Sequence, residues 1–123
     1  MPSERTLVRD VMSTSLVTTS PDATLVEAAT RMRSEEVGAL LVPSTELAIL
    51  TSTDILDAIA RDCDPAETTV GEVMTESVET VTPELRLTEA AAMMENFGIS
   101  HLPVVDDDLV GMVSSTDITA QLS

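Results

Sequence analysis

Residues 8–32, VRDVMSTSLVTTSPDATLVEAATRM, lie without a gap against residues 70–94, VGEVMTESVETVTPELRLTEAAAMM, and 11 of the 25 positions are identical. Downstream, LAILTSTDI at 47–55 matches VGMVSSTDI at 110–118, after one extra residue in the second copy around DDDLV. The period is therefore 62 to 63 residues, the length of one supersecondary unit used twice. A unit of that size does not bury its apolar faces alone, so the two copies are expected to pack about a pseudo-twofold axis into one domain.

Each copy reads the same way. VRDVM is a short helical turn, and Leu16–Thr18 with its partner Val78–Thr80 is a brief extended segment closed by Pro21 or Pro83. An amphipathic helix follows, with Leu25, Ala28, Ala29 and Met32 on one face, repeated as Leu87, Ala90, Ala91 and Met94. Thr24 and Glu27 supply a capping box to the first of these helices. Arg86 holds the cap position in the second, so its start must be stabilised differently. Two strands joined by a turn come next: 39–42 with 47–50, and 100–105 with 109–113. A last helix begins at TSTDI or SSTDI, with Ile55, Ile59 and Leu56 as its apolar positions in the first copy. The order is β-α-β-β-α in each repeat, an α+β fold with helices on one face of a small sheet.

Composition narrows the function classes. With 43% hydrophobic residues, the 123-residue chain has enough apolar material for a single domain with a core. There is no apolar run of membrane-spanning length and no signal-peptide core in MPSERTLVRD, which leads to the expectation of a cytoplasmic protein without a membrane partner. Cys63 is the single cysteine, so no intramolecular disulfide or thiolate metal cluster forms, and its polar setting points to an incidental thiol. The 22 acidic residues face 6 basic ones, all Arg, for a net charge of −16. Such a field repels phosphate backbones and argues against nucleic acid as a partner. A lysine-free acidic surface resembles that of proteins from salt-loving organisms, where a Debye length of about 3 Å in molar salt screens self-repulsion.

With the repeat in place, the sequence is similar to a tandem pair of cystathionine-β-synthase (CBS) domains, a Bateman module. VMTESVETVTPELRLTEAAAMM and GISHLPVVDDDLVGMVSSTDI carry the resemblance. They hold the family's order of Met, pre-Pro strand, helix, Ser-His-Leu-Pro-Val-Val, Gly before the second strand, and Ser-x-x-Asp. The match divides the chain into repeat 1 at 8–60, a linker at 61–69 and repeat 2 at 70–122. The first copy departs where Leu41 replaces the strand Pro and Ala48 replaces the Gly. With no catalytic or membrane domain within these residues, the resemblance is to the small stand-alone CBS pairs. It implies adenosine-containing ligands (AMP, ADP, ATP, S-adenosylmethionine or NAD) in clefts between the repeats, and a disk-shaped homodimer of pairs. Val11, Met12, Val73 and Met74 are candidates for a dimer face.

By the same resemblance, Asp54 and Asp117 would accept the ribose hydroxyls, with Thr51 and Ser114 near the ribose or first phosphate. A carboxylate accepts two parallel bonds from a vicinal diol, and a helix N-terminus presents free N–H groups to a phosphate. The competing reading is a plain capping box at each helix. Each cleft would borrow from the other repeat. The Asp54 cleft would take Thr80, Val81, Ile99, Ser100, His101, Leu102 and Pro103. The Asp117 cleft would take Thr18, Thr19, Val37, Gly38, Ala39 and Leu40. His101 falls where related proteins carry a basic residue that meets phosphate, and its counterpart is Ala39, so the sites are expected to be unequal. Scarce basic residues favour AMP or another weakly charged adenosyl compound over ATP. Two functions follow: a nucleotide-sensing regulatory module, or a structural dimerisation module with vestigial clefts. No nucleophile–base pair, metal-ligand spacing or Gly-rich phosphate loop speaks for an enzyme, and no metal site is expected.

Overall fold

The computed structural model describes residues 5–122. It contains helices α1 (Val8–Val11), α2 (Leu25–Glu35), α3 (Ser52–Ala60), α4 (Val70–Val73), α5 (Leu87–Phe97) and α6 (Ser115–Leu122), and strands β1 (Ala39–Val42), β2 (Ala48–Thr51), β3 (His101–Asp106) and β4 (Asp108–Ser114). These form two compact units, one of residues 17–78 and one of residues up to 16 together with those from 79 onward. The units are offset from the sequence repeat: the V-x-x-V-M turn that opens each copy packs into the other copy's unit.

In the unit of residues 17–78, α2 forms because Leu25, Ala28 and Met32 fall on one buried stripe and its start is capped. Thr24 Oγ1 accepts the Glu27 N–H at 3.1 Å, and Glu27 Oε1 accepts the Thr24 N–H at 3.0 Å, the capping box expected from sequence. That second bond holds the Glu27 carboxyl below its ordinary pKa. The stripe packs on Leu40, Val42, Ala48 and Leu50, the inward positions of the β1–β2 hairpin, with Ile55 and Ala58 of α3 and Val70 of α4. Fully burying each such Leu or Val contributes about 1.5–3 kcal/mol. The hairpin gains a partial strand on each side. Segment 17–19 runs parallel to β1 through Leu41 N–H to Val17 O and Thr19 N–H to Leu41 O, and Thr75 pairs antiparallel with Ile49.

The unit completed by residues 79 onward repeats the plan. Leu87, Ala90 and Met94 of α5 pack on Leu102, Val104 and Val113, with Val8 of α1, Val81 and Ile118. Val81 runs parallel to β3, and Ser13 pairs with Met112 on the outer side of β4. The extra residue of the second copy is absorbed as a bulge between Val104 and Val105. Arg86 makes no side-chain cap; the Glu89 N–H, which such a cap would satisfy, donates to the Arg86 carbonyl at 3.0 Å. The Leu87 N–H donates to the Thr6 carbonyl at 2.9 Å, as the Leu25 N–H does to Thr68 at the start of α2.

One local expectation changes. Ile59 and Leu56 do not belong to the core; they are 48% and 66% exposed, and α3 buries Ile55 and the small Ala58 instead. A nine-residue helix entering at a fixed cap turns only one narrow stripe inward, and Ile55 and Ala58 occupy it. Val11, Met12, Val73 and Met74 are half-buried against the cores of their own units. Cys63 is half-buried and packs beside the core that contains Ala58.

Candidate functional site

The two Ser/Thr-x-x-Asp phrases sit at matching places, where the second strand of each hairpin turns into a helix. At α3, Asp54 Oδ2 accepts the Thr51 N–H at 2.9 Å, while Thr51 Oγ1 accepts the Asp54 N–H at 3.2 Å. At α6, Asp117 Oδ2 accepts the Ser114 N–H at 2.9 Å and Ser114 Oγ accepts the Asp117 N–H at 3.1 Å. Both phrases are capping boxes, and both carboxylates are half-buried. The next helical N–H is also satisfied: Ser52 donates to the Gly38 carbonyl at 3.0 Å and Ser115 to the Ser100 carbonyl at 2.8 Å. The first residue of each helix is therefore tied to the loop that precedes the first hairpin strand of its own unit.

The structure thus groups the candidate residues by unit. Thr18, Thr19, Val37, Gly38, Ala39 and Leu40 lie with Thr51 and Asp54, whereas Thr80, Val81, Ile99, Ser100, His101, Leu102 and Pro103 lie with Ser114 and Asp117. Ala39 is directly cross-strand from Thr51, and His101 from Ser114. Ser100 Oγ meets His101 Nδ1 at 3.1 Å. Burial pushes the His101 imidazole below its ordinary pKa of 6.5, and the nearby Asp117 carboxylate opposes that shift. His101, placed by the sequence reading opposite TSTDI, is in its own unit the neighbour of SSTDI.

The Leu41 and Ala48 departures have local causes. Leu41 donates its N–H to Val17 at 3.0 Å, a ladder bond that Pro103, lacking an N–H, does not make to segment 79–81. Gly111 is required where it stands, because a Cβ there would meet Met12 Sδ at 2.8 Å and the Ser13 carbonyl oxygen at 2.9 Å. Around Ala48 the chain leaves room for the methyl.

Sequence reading missed two concave surfaces. A groove of about 610 Å³ between α2 and α3 is lined by Ala29, Met32, Val37, Ile55 and Leu56 together with the polar Arg33, Glu36 and Ser52. A second pocket of about 370 Å³ is lined by Asp54, Asp57, Arg61, Cys63 and Glu72. The signal for the first was Leu56, an apolar residue off the buried stripe. Among the described residues, no cluster of His, Cys, Asp and Glu is arranged to hold a metal, and no helix is long and apolar enough to cross a membrane.

The CBS domain family model matches residues 8–61 and again 70–123. The chain belongs to the CBS-domain family. Its relatives include the CBS domain-containing protein YhcV of Bacillus subtilis, 34% identical over 90% of this chain and 81% of that one. A homoserine O-acetyltransferase of Methanohalobium evestigatum is 36% identical over 93% of this chain. The CBS pair spans 24% of that acetyltransferase, and 60% of an uncharacterized Methanopyrus kandleri protein to which it is 31% identical. Among solved structures, the CBS domain pair of protein MJ0100, in complex with 5′-methylthioadenosine and S-adenosylmethionine, superposes with a TM-score of 0.85. That match has 32% identity and covers 95% of both chains. The CBS-pair fold is therefore established here, with two repeats that each carry a small sheet and helices.

Proposed function

We propose that this CBS pair is a regulatory module that binds an adenosine-containing ligand, with Asp54 and Asp117 as the acceptors for ribose hydroxyls. The observation that carries the reading is the pair of Ser/Thr-x-x-Asp boxes, each fixed at a strand–helix junction, in a chain whose relative MJ0100 is described with two adenosyl compounds. A half-buried carboxylate already anchored through Oδ2 is pre-oriented, so little conformational freedom is lost on clasping a diol. Thr51 and Ser114 would line the ribose or first phosphate, and the half-buried His101 would meet an anionic group beside Asp117. Val37, Gly38, Ala39, Thr18 and Thr19 would complete the site with Asp54, and Thr80, Val81, Ile99, Ser100 and Pro103 the site with Asp117, each set being in the same unit as its Asp.

Charge sorts the ligands. In a protein of net charge −16, a triphosphate would be repelled unless a cation accompanied it. AMP and weakly charged or cationic adenosyl compounds are favoured over ATP and NAD. The protein would act by shifting between conformations with different ligand affinity, read by a protein partner or by a second copy of the chain. No catalytic step belongs to this reading. Calorimetry in molar salt with AMP, ATP, S-adenosylmethionine and 5′-methylthioadenosine tests it. Binding by at least one of them, abolished by the double variant Asp54→Ala, Asp117→Ala, is the expected result. Absence of binding by all four would refute it.

A second reading is a dimerisation module with vestigial sites. The hydrogen bonds at Asp54 favour it for that site, because the carboxylate there is already engaged by the protein. A stable oligomer that carries no nucleotide when purified from its host would support it.

A further inference from the structure

The repeat places Thr75 and Ser13 at equivalent positions: 62 residues apart, each the residue that pairs with the second hairpin strand of its unit. Their side chains behave differently. Thr75 Oγ1 donates to Asp54, 3.3 Å from Oδ1 and 3.4 Å from Oδ2, and so sits in the fork of the carboxylate. That fork is where the two hydroxyls of a vicinal diol would have to approach. Ser13 makes its backbone pair with Met112, yet among the described residues no side chain donates to Asp117, whose Oδ1 lies outside the capping box. A β-branched Thr is restricted in χ1, which holds its hydroxyl on target, whereas Ser rotates freely.

We infer that Thr75 is a specificity-determining residue that closes the Asp54 carboxylate against a ribose, leaving Asp117 as the higher-affinity site. The inference rests on the adenosyl-binding reading above and ranks its two sites. The ligand at Asp54 must displace the Thr75 hydroxyl, and the site therefore fills later, at higher ligand concentration. The same exchange gives a graded response: at low ligand one site is occupied, and the second reports only an excess.

The test is calorimetry on the full chain with 5′-methylthioadenosine, which carries the diol without phosphate. Wild type should show one tight site, removed by Asp117→Ala, and a second site roughly three- to tenfold weaker, the size of one net hydrogen bond. Thr75→Val, which keeps the shape and removes the donor, should bring the two affinities together. Thr75→Ser should fall between, and Ser13→Thr should weaken the Asp117 site. Two equal sites in wild type, or weaker binding at Asp54 in Thr75→Val, would overturn the inference while leaving the adenosyl reading intact. No binding by wild type or any variant would remove both. A ligand-free check is a thermal double-variant cycle of Thr75→Val with Asp54→Asn. Non-additive melting shifts are expected there, with additive shifts for Ser13→Ala with Asp117→Asn. Additivity in both cycles would overturn the inference.

Discussion

Replacing Gly111 by Ala isolates a single packing demand. The added Cβ would lie 2.8 Å from Met12 Sδ, 3.2 Å from Met12 Cγ and 2.9 Å from the Ser13 carbonyl oxygen. The Met12 side chain is flexible and half-buried, and it yields cheaply. The Ser13 carbonyl does not, because it accepts the Met112 N–H at 2.9 Å while the Ser13 N–H donates to Met112 O at 2.8 Å. Relieving the contact pushes the 12–14 segment off β4 and weakens both bonds. Overpacking of this kind costs about 1–3 kcal/mol. At roughly 4 °C per kcal/mol for a chain of this size, the melting temperature should fall by about 4–12 °C. Differential scanning calorimetry measures the loss, and faster amide exchange at Ser13 and Met112 should accompany it. The equivalent position already holds Ala48, buried and tolerated, so Ala48→Gly should cost about 1–2 kcal/mol, the strand-glycine penalty plus the loss of one buried methyl. An unchanged melting temperature in Gly111→Ala would refute the close-approach argument.

Three further outcomes follow from the structure. Thr24→Ala removes the acceptor for the Glu27 N–H and should cost about 1 kcal/mol by chemical denaturation; no change would mean that the Leu25 N–H bond to Thr68 alone sets that helix start. The His101 imidazole is held below 6.5 in the folded chain, so the unfolded chain binds the extra proton first; stability should be full above pH about 6.5 and decline as the pH falls through it. Melting curves of wild type and His101→Gln should diverge below that pH, and parallel curves would refute the assignment. With 22 acidic residues against 6 Arg, raising NaCl from about 0.1 to 1 M should raise the melting temperature by shortening the Debye length from about 10 to 3 Å. A fall would show that attractive pairs outweigh repulsion.

Much of the candidate site was legible because it is local. A Ser or Thr three residues before an Asp dictates a capping box wherever a helix starts, and both boxes formed as read. What the phrase does not encode is which other donors reach the carboxylate. Thr75 is 21 residues from Asp54, and its hydroxyl arrives only because α4 packs on α3 and Thr75 pairs with Ile49. Likewise the setting of His101 beside Asp117 follows from the β3–β4 register rather than from either motif.

By itself, the sequence determined the twofold repeat, which lies in the identical residues, and the amphipathic helices and two hairpins, which rest on short-range periodicity and capping that each segment carries alone. Tertiary structure alone decided the exchange of the V-x-x-V-M turns, since Val8 and Val70 each find full burial in the unit of the other copy. It also decided that Leu56 stays outside the core, that Thr68 and Thr6 tie the starts of α2 and α5 to distant segments, and that two nearly identical Asp boxes differ in what already occupies them. Periodicity fixes which face of an element is apolar; only the packed chain fixes which atoms that face, and its polar edge, will meet.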